Sequence, residues 1–228
     1  MDKNEVSTED NLEIVEINNY NEDQDKNIEI LEIVVDKLTL IDKKTYDKKK
    51  FDNKKSEKKV TDTKVLNFHK LNNCNSSITC HGRPKKGILK DYLENLKINC
   101  ILTLQNSDEK ADEIKKEAEI VGINWINIPL KGANLDYLSK EDTLKVIVEG
   151  LLKVYDLLVN TEINLYIHCS AGIHRTGLIV YCLLRMNGED NENAMTILKK
   201  IRKETGEKVG EERIKIAEKL LIQSLIKK

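Results

Sequence analysis

Residues 165–177, LYIHCSAGIHRTG, join a short apolar stretch to a loop that contains Gly172 and ends at Gly177. The pattern that follows, from Leu178 onward, is that of an apolar helix. A turn between a buried strand and a helix aims successive backbone N–H groups at one spot, and the positive end of the helix dipole lies there as well. The segment therefore predicts a site for a phosphate-sized anion at the end of a strand.

Cys169 and Arg175 determine the chemistry that this loop can perform. The planar guanidinium of an arginine can hold two phosphate oxygens at once. The same N–H groups and helix dipole would lower the pKa of a thiol at the start of the loop from about 8.5 into a range of roughly 3.5 to 7.5. The sequence therefore predicts that Cys169 is a nucleophile that attacks phosphorus and that Arg175 clamps the phosphate.

The neighbours of these two residues fit the same interpretation. Thr176 can donate its hydroxyl to the sulfur, which would help the thiolate to leave when a phosphocysteine is hydrolysed, and His168 is expected to orient the loop backbone. The alternative is an inert core cysteine before a helix, since cysteine is among the most buried residue types. An inert cysteine would require neither the preceding histidine nor the arginine, so the pattern favours catalysis.

The run His168-Cys169, five further residues and then Arg175-Thr176-Gly177 resembles the signature of the protein tyrosine phosphatase superfamily, and the short domain is similar to its dual-specificity, atypical branch. The resemblance implies hydrolysis of phosphotyrosine, together with phosphoserine and phosphothreonine, through a phosphocysteine intermediate. It implies neither a metal nor a cofactor. It also implies that substrate phosphate is bound by the loop residues Ser170, Ala171, Gly172, Ile173, His174 and Arg175.

A general acid must protonate the leaving oxygen, and the resembled family places an aspartate for this purpose on a mobile loop before the cysteine. Residues 129–137 follow a predicted strand, and Asp136 lies among them, so Asp136 is the predicted general acid. It lies farther from the strand end than is usual in the family and lacks the following proline. The alternatives are that Asp136 caps the next helix or that Asp142 is the acid, although Asp142 resembles part of a capping box with Ser139.

The loop side chains favour a phosphorylated protein as the substrate. Lysines inside the loop would indicate inositol phospholipid headgroups, and there are none between Cys169 and Arg175. A phosphoinositide or RNA 5′-phosphatase of the same superfamily is the alternative among enzymes, and a catalytically weak phosphate-binding scaffold is the alternative outside them. A rhodanese-like arrangement shares the spacing of cysteine and arginine but lacks the upstream acid loop and the helical C-terminal run.

Short apolar segments alternate with helical patterns from residue 62 onward. Strands are predicted at residues 65–69, 78–81, 99–104, 123–128 and 163–168. Helices are predicted at residues 87–96, 107–121, 139–158, 176–186, 191–204 and 211–226. This alternation predicts an α/β fold with a mostly parallel central sheet of four to five strands, flanking helices and a C-terminal helical cluster.

Residues 1–61 differ in composition from the rest of the 228-residue chain. They are acidic up to residue 36 and lysine-rich from 37 to 59. Such segments bury too little apolar surface to offset the entropy of ordering. We therefore predict a disordered tail at 1–61, except for an apolar run at 28–35, and a catalytic domain at 62–228. The lysine-rich stretch is interpreted as a solvated linker, with a nuclear-import patch as the alternative.

Cysteine usage and charge limit the other functional classes. Five cysteines and an acidic, polar N-terminus predict an intracellular, cytoplasmic protein, with the nucleus as the alternative. The net charge of -1 predicts no nucleic-acid partner, and the apolar runs are too short to predict a membrane span. Cys80 and His81 lack a second ligand pair at zinc spacing and are predicted to be structural. The continuation Gly82-Arg83-Pro84 resembles an element that borders the active-site rim in atypical members of the superfamily.

Overall fold

A five-stranded sheet forms the centre of the protein in a computed structural model that describes residues 66–222. Its strands are β1 (His69–Lys70), β2 (Ser77–Gly82), β3 (Cys100–Thr103), β4 (Asn124–Asn127) and β5 (Asn164–Cys169). They lie in the order β1-β2-β5-β3-β4, and every neighbouring pair is parallel except β1 with β2. The predicted disordered tail at 1–61, with its apolar run, lies outside the described residues.

Helices flank this sheet and dominate the C-terminal part of the chain. They are α1 (Leu89–Leu96), α2 (Ala111–Val121), α3 (Leu135–Leu138), α4 (Glu141–Asn160), α5 (His174–Met186), α6 (Asn191–Ile201), α7 (Lys203–Lys208) and α8 (Glu211–Ile216). A 3-10 helix, Ser107–Glu109, precedes α2, and a π-helical segment, Ala217–Ile222, follows α8. The predicted α/β class, mostly parallel sheet and C-terminal helical cluster are confirmed. Within residues 66–222, every helix falls short of the length or the hydropathy that crossing a bilayer would require.

The central strand β5 decides where the site lies. Its side chains alternate between two apolar clusters, because Leu165 and Ile167 lie in the larger one whereas Tyr166 lies in the smaller one with Ile101 of β3. A parallel sheet that is covered on both faces requires such a continuously apolar strand. The carboxyl end of β5, at Cys169, lies between the ends of β2 and β3, at the edge of the sheet where ligands bind in folds of this class.

The prediction of a strand at 65–69 is wrong for residues 66–68. Pairing with β2 begins only at His69, which lies opposite Ile78. Before that point, Leu66 packs against the smaller apolar cluster, and the side-chain amide of Asn67 donates to the carbonyl of Lys200 at 3.1 Å. The Asn67 carbonyl accepts from the Thr79 hydroxyl of β2 at 2.8 Å, so this stretch contacts β2 through a side chain instead of a strand pair.

Two predicted helices are interrupted, and both breaks occur next to the site. The helix predicted at 107–121 restarts at Ala111 because Lys110 adopts a left-handed conformation with a φ of 61°. The helix predicted at 191–204 ends at Ile201 because Arg202 is extended, with a φ of -151°. The Arg202 guanidinium then reaches the carbonyl of Gly172 at 2.6 Å. Neither break has a glycine or proline to indicate it in the sequence.

The C-terminal helices support the loop between β5 and α5. Thr205 of α7 donates its hydroxyl to the Gly172 carbonyl at 2.7 Å, and Arg202 also donates to the Ala171 carbonyl at 3.0 Å. Helix α5 itself packs closely against the chain after α7, since a Cβ atom on Gly177 would lie 2.6 Å from a methyl carbon of Val209. The residues that hold the loop are therefore separated from it in the sequence by at least two helices, α5 and α6.

Candidate active site

The loop that links β5 to α5 bends tightly around the sulfur of Cys169. Gly172 has a φ of 70°, a left-handed conformation that favours glycine, and its N–H donates to Cys169 Sγ at 3.3 Å. A Cβ atom at this position would lie 2.1 Å from the backbone carbonyl of His81 on β2. Only glycine therefore fits between the loop and the neighbouring strand.

The thiol of Cys169 has a lowered pKa, although the burial of this residue, which is 4% exposed, acts to raise it. The hydroxyl and backbone N–H of Thr176, the charge of Arg175 and the N–H of Gly172 together outweigh the effect of burial. Thr176 Oγ1 is buried and has no well-aligned hydrogen-bond partner among residues 66–222, so its proton is available to the sulfur. The loop can therefore hold a thiolate, the form of cysteine that acts as a nucleophile.

The other buried cysteines lack these donors. Burial raises the pKa of Cys80 and of Cys100 to about 12, and it raises the pKa of Cys182 as well. All five cysteines of the chain are free thiols. In the part of the chain that the structure describes, no three histidine, cysteine or acidic side chains are grouped so that they could hold a metal ion.

Arg175 is anchored through its two terminal nitrogens. Nη1 donates to the carbonyls of Leu104 at 3.2 Å and Leu130 at 2.7 Å, and both Nη1 and Nη2 donate to the Glu109 carboxylate, at 2.5 and 2.8 Å. Nη2 also donates to Ser170 Oγ at 3.0 Å, whereas Nε makes none of these contacts. A phosphate that bound through Nε and Nη2 would thus displace only the Ser170 contact and leave the anchors intact.

Glu109 is a site residue that the sequence analysis missed. Its carboxylate pairs with Arg175 and accepts a hydrogen bond from Ser170 Oγ at 2.7 Å. The hydrogen bonds from Arg175 lower the pKa of Glu109 to about 2, burial acts in the opposite direction, and Ser170 and Gln105 lower it further. A helix at 107–121 would have made Glu109 an ordinary helical residue, and the break at Lys110 instead leaves it at the end of a 3-10 helix beside Arg175.

Arg83 and Gln105 connect the strand ends around the loop. The Arg83 guanidinium donates to Gln105 Oε1 at 3.2 Å and to the Glu109 carbonyl at 2.8 Å, and the Gln105 amide donates to Ser170 Oγ at 3.1 Å. The backbone N–H of Arg83 donates to the Ser170 carbonyl at 3.0 Å. The Gly82-Arg83-Pro84 element thus lies beside the loop, where the family resemblance implies the active-site rim.

His168 takes part in a buried hydrogen-bond chain behind the nucleophile. Burial lowers the pKa of His168 to about 4, so the ring is neutral and carries one proton. Nδ1 lies 3.3 Å from the Cys169 carbonyl, which can only accept, so that proton is on Nδ1. Nε2 must then accept from the Thr103 hydroxyl at 2.9 Å, while Thr103 accepts from the indole of Trp125 at 2.9 Å. The ring therefore orients the backbone of Cys169 and is fully buried.

The predicted acid Asp136 is not brought into contact with the loop. Asp136 is exposed in the first turn of α3, and no hydrogen bond or ion pair joins its carboxylate to a residue in 66–222. The alternative of a capping role is wrong, because Asn134 is the N-cap and its side chain accepts from the Asp136 N–H at 2.8 Å. Two arginines hold the segment before α3: Arg175 binds Leu130, and Arg213 of α8 donates twice to the Ala133 carbonyl, at 2.9 and 2.7 Å.

The fallback acid Asp142 lies in the first turn of α4 and is also exposed. The capping box with Ser139 is absent, because the N-cap of α4 is Lys140 and the Ser139 hydroxyl donates to the Leu135 carbonyl at 2.9 Å. Neither aspartate therefore caps a helix, and the identity of the general acid stays a prediction.

Most of the other predicted substrate-binding residues are accessible to solvent, although Ser170 Oγ also contacts Arg175, Gln105 and Glu109. Ser170, Ala171 and His174 are exposed, and Ile173 is half-buried. Burial and the positive charge of Arg213 lower the pKa of His174. His174 is therefore mainly uncharged at neutral pH and adds little positive charge to the loop.

Comparison with known proteins identifies the family. Residues 64–216 match the model of the tyrosine phosphatase family. The chain belongs to this family. A curated protein of Scheffersomyces stipitis, named "Putative tyrosine-protein phosphatase OCA1", is 28% identical over 151 residues, which cover 63% of this chain and 68% of that protein. Membership of this family makes the protein a cysteine-dependent phosphatase.

Two solved structures share the fold of this phosphatase. The kinase associated phosphatase KAP, crystallised with its catalytic cysteine replaced by serine, is 16% identical and superposes with a TM-score of 0.54 over 70% of this chain and 98% of that one. The core catalytic domain of the PP-IP phosphatase SIW14 from S. cerevisiae is 19% identical, with a TM-score of 0.50 over 67% and 84% of the two chains. At such low identity, these likenesses show the fold alone.

The alkylation rate of the phosphatase thiol tests the charge balance at the sulfur. Iodoacetate reacts with the thiolate, so Cys169 should be alkylated faster than free cysteine at neutral pH, with a midpoint below the ordinary thiol pKa of about 8.5. Thr176→Val removes one donor and should move that midpoint to higher pH, whereas the exposed Thr196→Val should not. Mass spectrometry of each cysteine peptide across pH measures this. A midpoint at or above that of free cysteine would contradict the assignment.

The ion pair between Glu109 and Arg175 should affect both activity and acid stability of the phosphatase. Glu109→Gln is expected to lower kcat/KM about tenfold, since a clamp that is held less firmly positions phosphate less well. The folded pKa of Glu109 lies below its ordinary 4.5, so its stabilising contribution is complete above pH 4.5 and is lost as the pH falls toward about 2.

Urea unfolding across this acid range provides the measurement. The wild-type protein should lose more free energy of unfolding than Glu109→Gln does, and the exposed Glu94→Gln variant should follow the wild type. Equal kcat/KM values and parallel stability profiles for wild type and Glu109→Gln would show that the pair is not functional.

Proposed function

We propose that this phosphatase hydrolyses phosphotyrosine in proteins, together with phosphoserine and phosphothreonine, through a phosphocysteine intermediate. The observation that carries the proposal is the lowered pKa of Cys169 in a loop where the Gly172 N–H, the Thr176 hydroxyl and the Arg175 guanidinium converge on the sulfur. This arrangement provides an ionised nucleophile and a phosphate clamp in the same place.

In the first step, the loop N–H groups and Arg175 bind the phosphate and the Cys169 thiolate attacks phosphorus. A bond forms between Sγ and phosphorus while the bond from phosphorus to the leaving oxygen breaks. Asp136 transfers its proton to that oxygen. Because Asp136 contacts neither Cys169 nor Arg175 in this structure, α3 must move toward the loop when substrate binds.

Glu109 cannot replace Asp136 as the acid. Both oxygens of its carboxylate accept hydrogen bonds from Arg175, which hold its pKa at about 2, so protonating Glu109 would break the ion pair that anchors the clamp. It therefore serves as an anchor for the clamp.

In the second step, water attacks the phosphocysteine. The Asp136 carboxylate takes a proton from the water, a new bond forms between oxygen and phosphorus, and the bond from sulfur to phosphorus breaks. The Thr176 hydroxyl stabilises the departing thiolate, and inorganic phosphate leaves.

A phosphorylated protein is the proposed substrate because the loop provides one permanent charge for one phosphate. Its exposed side chains, at Ser170, Ala171 and His174, offer no lysine for a second phosphate group. An inositol phosphate or an RNA 5′-phosphate is the alternative, and the SIW14 structure, titled as a PP-IP phosphatase, motivates testing the first of them. We also propose an intracellular location, cytoplasmic or nuclear, for which the five free thiols are consistent with a reducing compartment.

Substitution of the nucleophile tests the proposed chemistry. Cys169→Ser should abolish turnover while phosphopeptide binding persists, because the clamp and the loop N–H groups remain. The control is Cys74→Ser, which changes a half-buried cysteine and should keep normal turnover. Initial rates on phosphopeptides, inositol phosphates and triphosphate-ended RNA compare the substrate classes. Full activity of Cys169→Ser would refute the mechanism, and a clear preference for inositol phosphates or RNA would refute the proposed substrate.

Leaving-group dependence tests the acid. Asp136→Asn should lower kcat by roughly 10²-fold or more on phosphotyrosine, the usual range for loss of general acid catalysis, and by less on p-nitrophenyl phosphate, whose leaving group needs little protonation. Asp142→Asn is the matched control and should leave both rates unchanged. If Asp142→Asn shows the large effect instead, the acid is Asp142. If neither variant does, no aspartate of this region is the acid.

A further inference from the structure

A groove begins at the rim of the active site and follows α2. It is bounded by Arg83 at one end and is lined by Pro84, Lys86, Ile114, Lys116, Glu117 and Ile120. The Arg83 N–H donates to the carbonyl of Ser170, which lies in the phosphate-binding loop. Arg83 therefore both lines the groove and contacts the loop where a phosphorylated side chain would bind.

The lining of the groove is partly aliphatic. Pro84 and Ile114 are buried below it, and Ile120, at its far end, is 83% exposed. Glu113 and Ile120 are seven positions apart on α2, which corresponds to about 10 Å along the helix axis. An extended peptide covers that distance with about three residues.

The uncommitted charge in the groove is positive. Glu113 pairs with Arg83 at 3.2 Å, and the Glu117 carboxylate accepts hydrogen bonds from the N–H groups of Gly87 at 2.8 Å and Leu89 at 3.3 Å. Lys86 and Lys116 are exposed. Neither forms an ion pair or a hydrogen bond with any residue in the described range 66–222. Both acidic groups of the groove are thus occupied, whereas two lysines are available.

We propose that this groove binds the segment of a phosphoprotein substrate that flanks the phosphorylated residue, and that this segment carries an aliphatic side chain and acidic residues. The aliphatic side chain would lie against Ile120, and the acidic residues would pair with Lys86 and Lys116. The inference rests on the proposed function and specifies its substrate class. A polyanion such as RNA fits less well, because the lining is partly aliphatic, with Pro84, Ile114 and Ile120, and such side chains offer a polyanion no polar partner.

Two phosphotyrosine peptides of equal length test the groove. One carries leucine and two aspartates beside the phosphotyrosine, and the other carries serine and two lysines at the same positions. Each peptide is made in two versions, with these residues before or after the phosphotyrosine. p-Nitrophenyl phosphate, which cannot reach the groove, reports on the catalytic loop. The double variant Lys86→Glu/Lys116→Glu should lower kcat/KM about tenfold for the acidic peptide, mainly through KM, and raise it for the basic one.

Ile120→Ser should lower kcat/KM about threefold for the leucine-containing peptide. None of these variants should change turnover of p-nitrophenyl phosphate. The matched controls Lys145→Glu and Val159→Ser alter an exposed lysine and an exposed aliphatic residue on α4, and they should leave both peptides unaffected.

The outcomes separate the groove from the chemistry. If charge reversal changes kcat/KM for neither peptide while wild-type protein hydrolyses both, the groove inference is overturned and the proposed function stands. If wild-type protein hydrolyses p-nitrophenyl phosphate but no phosphopeptide, the proposed substrate class fails and the groove inference fails with it.

Discussion

The site depends on lowering the pKa of a thiol that is almost completely shielded from water. Burial alone has the opposite effect, as the raised pKa values of Cys80 and Cys100 show. Cys169 differs from them because backbone N–H groups, a hydroxyl and a guanidinium all point toward it. Those donors come from one loop between a strand and a helix, so the conformation of a few residues decides the pKa of this thiol.

Residues distant in the sequence hold that loop in place. The order β2-β5-β3 puts the ends of three parallel strands side by side, and Arg83 and Gln105 each contact Ser170 from a neighbouring strand end. From the other side, Arg202 and Thr205 bind the carbonyl of Gly172. The loop around Cys169 is thus held by the sheet on one side and by the C-terminal helices on the other.

Local spacing was sufficient to predict the fold class and the residues of the loop. The apolar segments, the glycine at position 172 and the separation of Cys169 from Arg175 all lie within short stretches, where sequence patterns are informative. Glu109 could not be predicted in this way, because its contact with Arg175 spans 66 positions and requires Lys110 to adopt a left-handed conformation that lysine seldom takes. Residues 66–68 of the strand predicted at 65–69 remain unpaired for a similar reason, since Asn67 bonds to a distant helix.

The double role of Arg175 couples two parts of the molecule. Its guanidinium both faces the place where phosphate would bind and holds the carbonyl of Leu130, at the start of the segment that leads to α3. Any ligand that pulls on the guanidinium also changes the free energy of that segment. By thermodynamic reciprocity, the placement of the segment changes the affinity for the ligand by the same factor. Binding at the anion site and the conformation of the segment between Leu130 and α3 are therefore linked equilibria.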